Sequence, residues 1–356
     1  MNAKQNKLIR IPMPLRYLIN LALILALWGV FTGLMGAGVI TNYWSGILIM
    51  VGVNIILAVS LNIATGYLGQ LPLGHAGFMA VGAYTGGIFI KSTPAADLLK
   101  AGNAAACLPY IIAALLLSAV VAGIFGLIIG IPALRLRGDY LAIITLGFGE
   151  IIRVVLTNID SLLGFKFTFG AAGLKRIPKF SGFHLVFVCV VLSCMLIHMI
   201  MKSRHGRAIL SIRENEIAAE SVGINTTYYK TMAFVVSAML AGVAGCLYAG
   251  YLGSLYPATF RFMKSIEILV MVVLGGMGSM LGSILSATVL TILPELLRSV
   301  ADYRMVAYSL ALVLMMIFRP KGLLGSYDFS MSRLLEKALN TLFHRNAKTE
   351  KGGGAQ

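Results

Sequence analysis

Long apolar runs separated by short polar segments dominate this chain. A helix needs about 20 apolar residues to cross a bilayer, and most of the runs approach that length. They cover residues 18–39, 44–63, 76–90, 108–131, 140–157, 183–201, 231–252, 266–297 and 305–318. The run 266–297 is too long for one span and contains Gly275, Gly276, Gly278 and Gly282, which predicts two short helices joined by a turn.

The pattern therefore predicts an all-α, polytopic helical membrane protein. We expect about ten transmembrane helices, within a range of roughly eight to ten, some of them broken or re-entrant. A basic leader over residues 1–16 precedes a transmembrane domain over 17–325, and a polar cytoplasmic tail over 326–356 follows it.

Composition and charge agree with a membrane protein and indicate its orientation. The 356 residues are 58% hydrophobic and 12% charged, whereas a soluble domain has about 25% charged residues, so a soluble enzyme is excluded. The net charge of +16 fits cytoplasmic Lys and Arg better than nucleic-acid binding. With ten crossings and an N terminus inside, 18 of the 29 Lys and Arg residues are cytoplasmic and 10 lie on the other side. Both termini are therefore expected in the cytoplasm.

Motifs for enzymatic chemistry are missing from the sequence. It has no G-x4-G-K-[S/T] phosphate-binding loop, no G-x-S-x-G and no His, Cys or Glu cluster with metal-ligand spacing. We therefore expect no catalytic residues, no cofactor and no metal, and no ATP hydrolysis by this chain.

The first interruption of the apolar pattern is the segment 66–78, which contains glycines and Pro72. Non-helical backbone at membrane depth is tolerated only against protein or a water-filled cavity. Gln70 and His75 could therefore line a translocation path. The alternative is an ordinary loop whose His75 caps or hydrogen-bonds a neighbouring carbonyl. Tyr84, Gly275 and Gly276 are further candidates for the path.

The second interruption is 135–153. Asp139 begins a helix, where an acidic side chain is favourable, and Glu150 and Arg153 are three residues apart, close enough to pair. Ionisable residues inside a span are often functional, which makes Glu150 a candidate for the path. The alternative is a structural role in ion pairs, expected for Arg137, Asp139 and Arg153.

The third interruption is the polar connection 202–230. Ile212, Ile217, Ala218 and Val222 are spaced to share part of one helix face. Such a face could bind a partner protein or lie on lipid. Glu214, Glu216 and Glu220 disfavour anionic lipid, so a protein partner is the preferred interpretation.

In these segments the sequence resembles the permease subunits of bacterial branched-chain amino acid ABC importers, of the LivM type. The resemblance is carried by residues 66–78, 135–153, 206–223, 273–279 and 315–324. It implies an ABC importer permease fold and alternating access in the bacterial inner membrane. The implied partners are a second permease subunit, two cytoplasmic ATPase subunits, an extracytoplasmic substrate-binding protein and the lipid bilayer, with no nucleic acid.

The family also implies where the ATPases act. Its cytoplasmic coupling helix often carries Glu-Ala-Ala-x3-Gly, which appears here as Ile217-Ala-Ala-Glu-Ser-Val-Gly223. The resemblance points to seven coupling residues: Arg207, Arg213, Glu214, Glu216, Ala218, Ala219 and Gly223. The chain departs from the family pattern at Pro72, where serine is usual, and in 168–173, which loses one glycine.

Three alternatives stay open. A permease of a urea or short-amide ABC importer has a similar sequence, because the binding protein largely sets specificity. An ion-coupled secondary transporter would use Glu150, Arg153 or Glu267, but would leave 202–230 without a role. A membrane scaffold would leave the break at 66–78 unexplained.

Overall fold

The structure is a computed structural model that describes residues 13–100, 104–136, 138–163 and 168–297, and four single residues at 309, 310, 313 and 317. The chain divides into two units, Met1–Asn42 with Tyr327–Gln356, and Tyr43–Ser326. The predicted run 305–318, apart from those four residues, lies outside the described residues, as do Arg137 and the predicted tail 326–356.

The described chain is almost entirely helical. The first unit contributes helix α1 (Met13–Gly36). The following helices are α2 (Asn42–Asn62), α3 (His75–Ser92), α4 (Ala95–Lys100), α5 (Ala104–Ala133), α6 (Asp139–Leu163), α7 (Phe183–Lys202), α8 (Arg204–Glu214), α9 (Glu216–Ser221), α10 (Thr226–Leu252), α11 (Phe262–Gly275) and α12 (Met280–Leu296). Strands β1 (Leu174–Lys175) and β2 (Ser254–Leu255) form one short antiparallel pair.

The prediction of a polytopic helical membrane protein is confirmed. Six helical segments of the described chain are long and apolar enough to span a membrane: Leu18–Gly36, Asn42–Tyr67, Ala106–Ala133, Asp139–Ser161, Phe183–Lys202 and Thr226–Leu252. The other predicted runs within the described residues form the shorter helices α3, α11 and α12, of 18, 14 and 17 residues.

Helices α3, α5 and α10 pack against one another through small residues. A side chain at Gly82 of α3 would collide with the backbone of Gly242 on α10, and one at Gly245 would collide with the carbonyl oxygen of Met79. The hydroxyl of Ser118 on α5 donates to the carbonyl of Gly82 at 3.0 Å. In lipid the hydrophobic effect does not drive helices together, so they associate through close van der Waals packing, which small residues permit. We call these three helices the glycine core.

Helix α2 is largely buried and runs antiparallel to α12. Tyr43, near the start of α2, donates to Glu295 near the end of α12. Asn54 donates to Thr291 Oγ1 at 2.9 Å, and Asn62 Oδ1 accepts from the amide of Gly278 just before α12, also at 2.9 Å. The first residues of α12 thus lie beside the end of α2.

Helices α11 and α12 form the predicted pair joined by a turn. Helix α11 ends at Gly275, and Gly276 and Gly278 have φ values of 103° and 88°, which only glycine adopts readily. Gly275 and Gly282 approach so closely that neither position has room for a side chain. The turn 276–279 is therefore tight, and its tip lies at the end of α2.

Candidate functional site

The predicted break after α2 is present. Helix α2 continues as a π-helical turn, Ile63–Tyr67, residues 68–74 are non-helical, and α3 begins at His75. Nε2 of His75 lies 2.9 Å from Oγ of Ser60, which is about two helical turns before Tyr67. The segment 68–74 therefore runs back alongside α2, and α3 begins inside the protein. We call 68–74 the first break and 276–279 the second break.

Side chains of other helices satisfy backbone groups around the first break. The amide of Leu73 donates to Thr145 Oγ1 of α6 at 2.9 Å, and the amide of Ala76 donates to Ser265 Oγ of α11 at 3.1 Å. Non-helical backbone at membrane depth needs such partners, because lipid offers none. The first break is thus built into the helix packing.

Four of the six residues predicted for the path are buried inside the chain. Nε2 of His75 lies beside the hydroxyl of Ser60, and Tyr84 donates to the carbonyl of Leu255 at 3.4 Å. Gly275 and Gly276 are buried at the second break. Gln70 and Glu150 are partly exposed, and Oε1 of Gln70 is enclosed, with no hydrogen-bond partner among the residues that the structure describes.

Glu150 connects α6 to the start of α11. Arg153 Nε lies 2.6 Å from Glu150 Oε2, so the pairing expected from the spacing is present. The other carboxylate oxygen accepts from the amide of Phe262, the first residue of α11, at 3.2 Å, where a negative charge favours the helix dipole. Asp139 is the first residue of α6, as predicted. Glu150 therefore bridges Arg153 on its own helix and the first amide of α11.

The connection 202–230 forms two helices, which corrects the expected single face. Ile212 is buried on α8, whereas Ile217, Ala218 and Val222 are exposed on α9 or directly after it. Asn215 causes the difference, because its backbone is extended and its side chain accepts from the amide of Ala218 at 3.1 Å. An Asn cap starts a new helix, so α9 begins at Glu216 and its side chains do not continue the faces of α8.

Helix α9 is fixed to the start of α10 by two glutamates. Glu216 Oε1 lies 2.6 Å from Nζ of the buried Lys230, and Glu220 Oε1 accepts from Thr226 Oγ1 at 2.7 Å. The turn between the helices includes Gly223, with φ of 85°. Ala219 faces the protein, whereas Ile217 and Val222 are 71% and 76% exposed.

Among the predicted coupling residues, Arg213 reaches the breaks. Its Nη1 donates to the carbonyl of Gly66 at 2.8 Å, and its Nη2 lies 3.0 Å from Glu214 Oε1. Gly69 has no room for a side chain because the aliphatic part of Arg213 lies against it. Arg207 and Glu214 are exposed on α8. The contact of Arg213 joins residues 147 positions apart, and no sequence pattern signals it.

Nothing in the described part of the chain groups three or more His, Cys, Asp or Glu residues so that they could hold a metal ion. The candidate site consists of the two helix breaks and the helix pair α8–α9. Broken helices held inside a bundle of membrane-spanning helices are a feature of transporters, and the class of protein indicated by this fold is therefore a membrane transporter.

Comparison with known proteins identifies the family. A family model described as the permease component of the branched-chain amino acid transport system matches residues 43–319. The chain therefore belongs to this permease family. It is 37% identical over 309 residues to the high-affinity branched-chain amino acid transport system permease protein LivM of Salmonella typhimurium, which covers 77% of this chain and 68% of that relative.

Two relatives from Escherichia coli extend the comparison. LivM of strain K12 is 37% identical over 306 residues, or 76% of this chain and 68% of the relative. The permease protein LivH of the same strain is 33% identical over 125 residues, or 35% of this chain and 40% of the relative. No solved structure matches the chain significantly. The resemblance inferred from the sequence motifs is thus confirmed.

Proposed function

We propose that the chain is the membrane-spanning permease subunit of an ATP-driven importer for leucine, isoleucine and valine. The match over residues 43–319 and the 37% identity to proteins named for this transport carry the proposal. The transmembrane domain is taken as 17–325, in the bacterial inner membrane, with both termini in the cytoplasm. The excess of Lys and Arg on that side supports the orientation.

The proposed assembly contains a second permease subunit, two cytoplasmic ATPases and an extracytoplasmic binding protein. In E. coli the names of LivM and LivH both assign them to a high-affinity branched-chain amino acid transport system, which supports a pair of permeases. The absence of a phosphate-binding loop from the sequence supports separate ATPase subunits.

Helix α9 is the proposed contact with an ATPase. Its exposed residues Ile217, Ala218 and Val222 form an apolar surface next to the glutamates that bind α9 to α10. Apolar side chains that are exposed together mark a surface that binds another protein. When the ATPases close on ATP, they would push α9 and α8. This movement would rearrange the two breaks, and that rearrangement would switch the permease between its inward-open and outward-open states. Gln70 and Glu150, which are partly exposed, are the proposed polar groups on the path, and His75, Tyr84, Gly275 and Gly276 are proposed to shape it from inside the chain.

Uptake measurements distinguish the proposed leucine importer from a urea or short-amide importer and from an ion-coupled transporter. Uptake of labelled leucine at low concentration is measured in cells that lack this chain but keep its neighbouring subunits, and that have no redundant carrier. We expect uptake to be lost and to return when the chain is expressed again. Undiminished leucine uptake would contradict the substrate, and labelled urea and short amides would then be tested. Collapse of the proton gradient at high ATP separates the energy sources, because an ion-coupled transporter would stop.

A further inference from the structure

The two breaks meet at one point, which we call the junction. Asn62 Oδ1 accepts the amide of Gly278 at 2.9 Å, so the end of α2 is bonded to the second break. A side chain at Gly66 would collide with the backbone of Gly278. The backbones at the end of α2 and in the second break are therefore in direct contact, and neither can shift far without displacing the other.

Arg213 enters the junction from the end of α8. The last carbonyls of a helix have no intrahelical donor, and a cation favours that end of the helix dipole. Gly66 lies in the π turn that ends α2, and its carbonyl accepts from Arg213 Nη1 at 2.8 Å. The same nitrogen lies next to Gly278. A single guanidinium, carried by a different helix, therefore caps the end of α2 and lies beside the second break.

Arg213 belongs to the element that would receive movement from an ATPase. It lies in the last turn of α8, two residues before the Asn215 cap that starts α9. The buried residues Ile209 and Ile212 anchor α8, and the pair Glu216–Lys230 anchors α9. A displacement of α8–α9 therefore changes the position of the guanidinium relative to Gly66.

Two enclosed polar atoms at the junction and the first break are unpaired. Asn62 Nδ2 and Gln70 Oε1 have no hydrogen-bond partner among the described residues. The orientation of the Asn62 amide is fixed, because its oxygen accepts from Gly278. Buried polar atoms without partners are costly. The junction and the first break thus each contain a polar group that the hydrogen bonds of the described residues leave unsatisfied.

We propose that Arg213 is the positioning residue that transmits movement of α8–α9 to both breaks. The inference rests on the proposed function, since it assigns the moving partner to an ATPase. In one state the guanidinium holds the carbonyl of Gly66 and the junction is closed as observed. When α8–α9 is displaced, this bond breaks, and the first and second breaks rearrange together.

The test compares variants of Arg213 in the complete importer, purified and reconstituted in proteoliposomes. ATP hydrolysis and uptake of labelled leucine are measured in the same vesicles. For Arg213→Ala we expect retained assembly and ATP hydrolysis, with the leucine transported per ATP reduced about tenfold or more, since tenfold is the lower end of the scale for a lost hydrogen bond to a charged group. Arg213→Lys should recover part of the loss. Arg204→Ala removes an exposed arginine at the other end of α8 and serves as the matched control.

Unchanged transport per ATP in Arg213→Ala would overturn the inference. If the unmodified importer shows no ATP-dependent leucine uptake, the proposed function fails instead. A second readout covers a variant that assembles poorly. Leu71 on the first break and Met277 on the second are exposed, so a cysteine at either position can be labelled with a maleimide. We expect trapping with ATP and vanadate to change the labelling rate, and Arg213→Lys to weaken that change. An unweakened change would contradict the proposal.

Discussion

The glycine core and the junction share close backbone contacts at glycine but differ in the polar groups around them. In α3, α5 and α10, Gly82, Gly242 and Gly245 bring backbones into contact, and the Ser118 hydroxyl adds an interhelical hydrogen bond. At the junction Gly66 also lies against Gly278, but its carbonyl accepts from a guanidinium of another helix, and Asn62 Nδ2 has no hydrogen-bond partner among the described residues. A densely packed region resists deformation, whereas a region held by a few hydrogen bonds changes at low cost. In the mechanism proposed above, the glycine core is the frame and the junction is the part that moves.

The largest expected effect comes from disturbing the frame. Gly82→Val should abolish accumulation of folded chain, because the new side chain would collide with the backbone of Gly242, which cannot give way as a flexible side chain would. Overpacking alone costs about 1–3 kcal/mol, and a backbone clash costs more. The measurement is the yield of monodisperse protein after detergent extraction. Gly147→Ala, which would meet no atom within 4 Å, is the control, and normal yield of Gly82→Val would contradict the packing.

The next effect concerns the moving part and leaves the frame intact. Gly223→Pro should eliminate transport while the chain still inserts, because proline cannot adopt the φ of 85° that joins α9 to α10. The readout is leucine uptake together with membrane content of the chain. Full uptake in this variant would mean that the α9–α10 turn is not part of coupling.

A smaller effect is expected at the contact between α9 and α10. Glu216→Gln should lower the free energy of unfolding by about 1–3 kcal/mol, below the usual cost of breaking a fully buried pair, because Glu216 is partly exposed. Lys230 is buried and would lose its carboxylate. The double variant Glu216→Gln with Lys230→Met should recover most of the loss. Thermal unfolding in detergent measures this series.

Glu220→Gln is the matched control for that series, because an amide oxygen can still accept from Thr226. If Glu216→Gln is as stable as Glu220→Gln, the buried pair does not hold α9 in place.

The smallest effect on stability is expected at the exposed surface of α9. Ile217→Ser with Val222→Ser should change the free energy of unfolding by no more than about 0.5 kcal/mol, since both side chains are largely exposed. Binding of the ATPases should nevertheless weaken, which co-purification at increasing salt and detergent can measure. Undiminished co-purification would remove α9 from the proposed interface.

Much of the fold could be predicted because it depends on local pattern. Apolar runs located the spans, glycines and Pro72 located the breaks, and the i,i+3 spacing gave the pairing of Glu150 with Arg153. The split of the connection 202–230 into α8 and α9 had a local signal as well. Asn215 followed by Glu216 is a helix start, but the apolar spacing across it suggested one continuous helix.

The remainder depends on contacts between distant residues. Arg213 and Gly66 meet only because 68–74 folds back and α8 ends beside it, and Asn62 meets Gly278 across most of the chain. Likewise, the burial of His75 against Ser60 follows from where α3 begins in space. Residue type and spacing carry no information about contacts between distant residues. The position of a helix break could therefore be predicted from the sequence, but the side chains that stabilise the break could not.

Hydrogen exchange in the complete, reconstituted importer tests the division into frame and moving part most directly. Exchange is compared without nucleotide and with ATP and vanadate. We predict that peptides covering 62–74 and 276–279 change their exchange rates, while peptides of α3, α5 and α10 remain protected in both states. Equal change in both regions, or no change at the two breaks, would contradict the account.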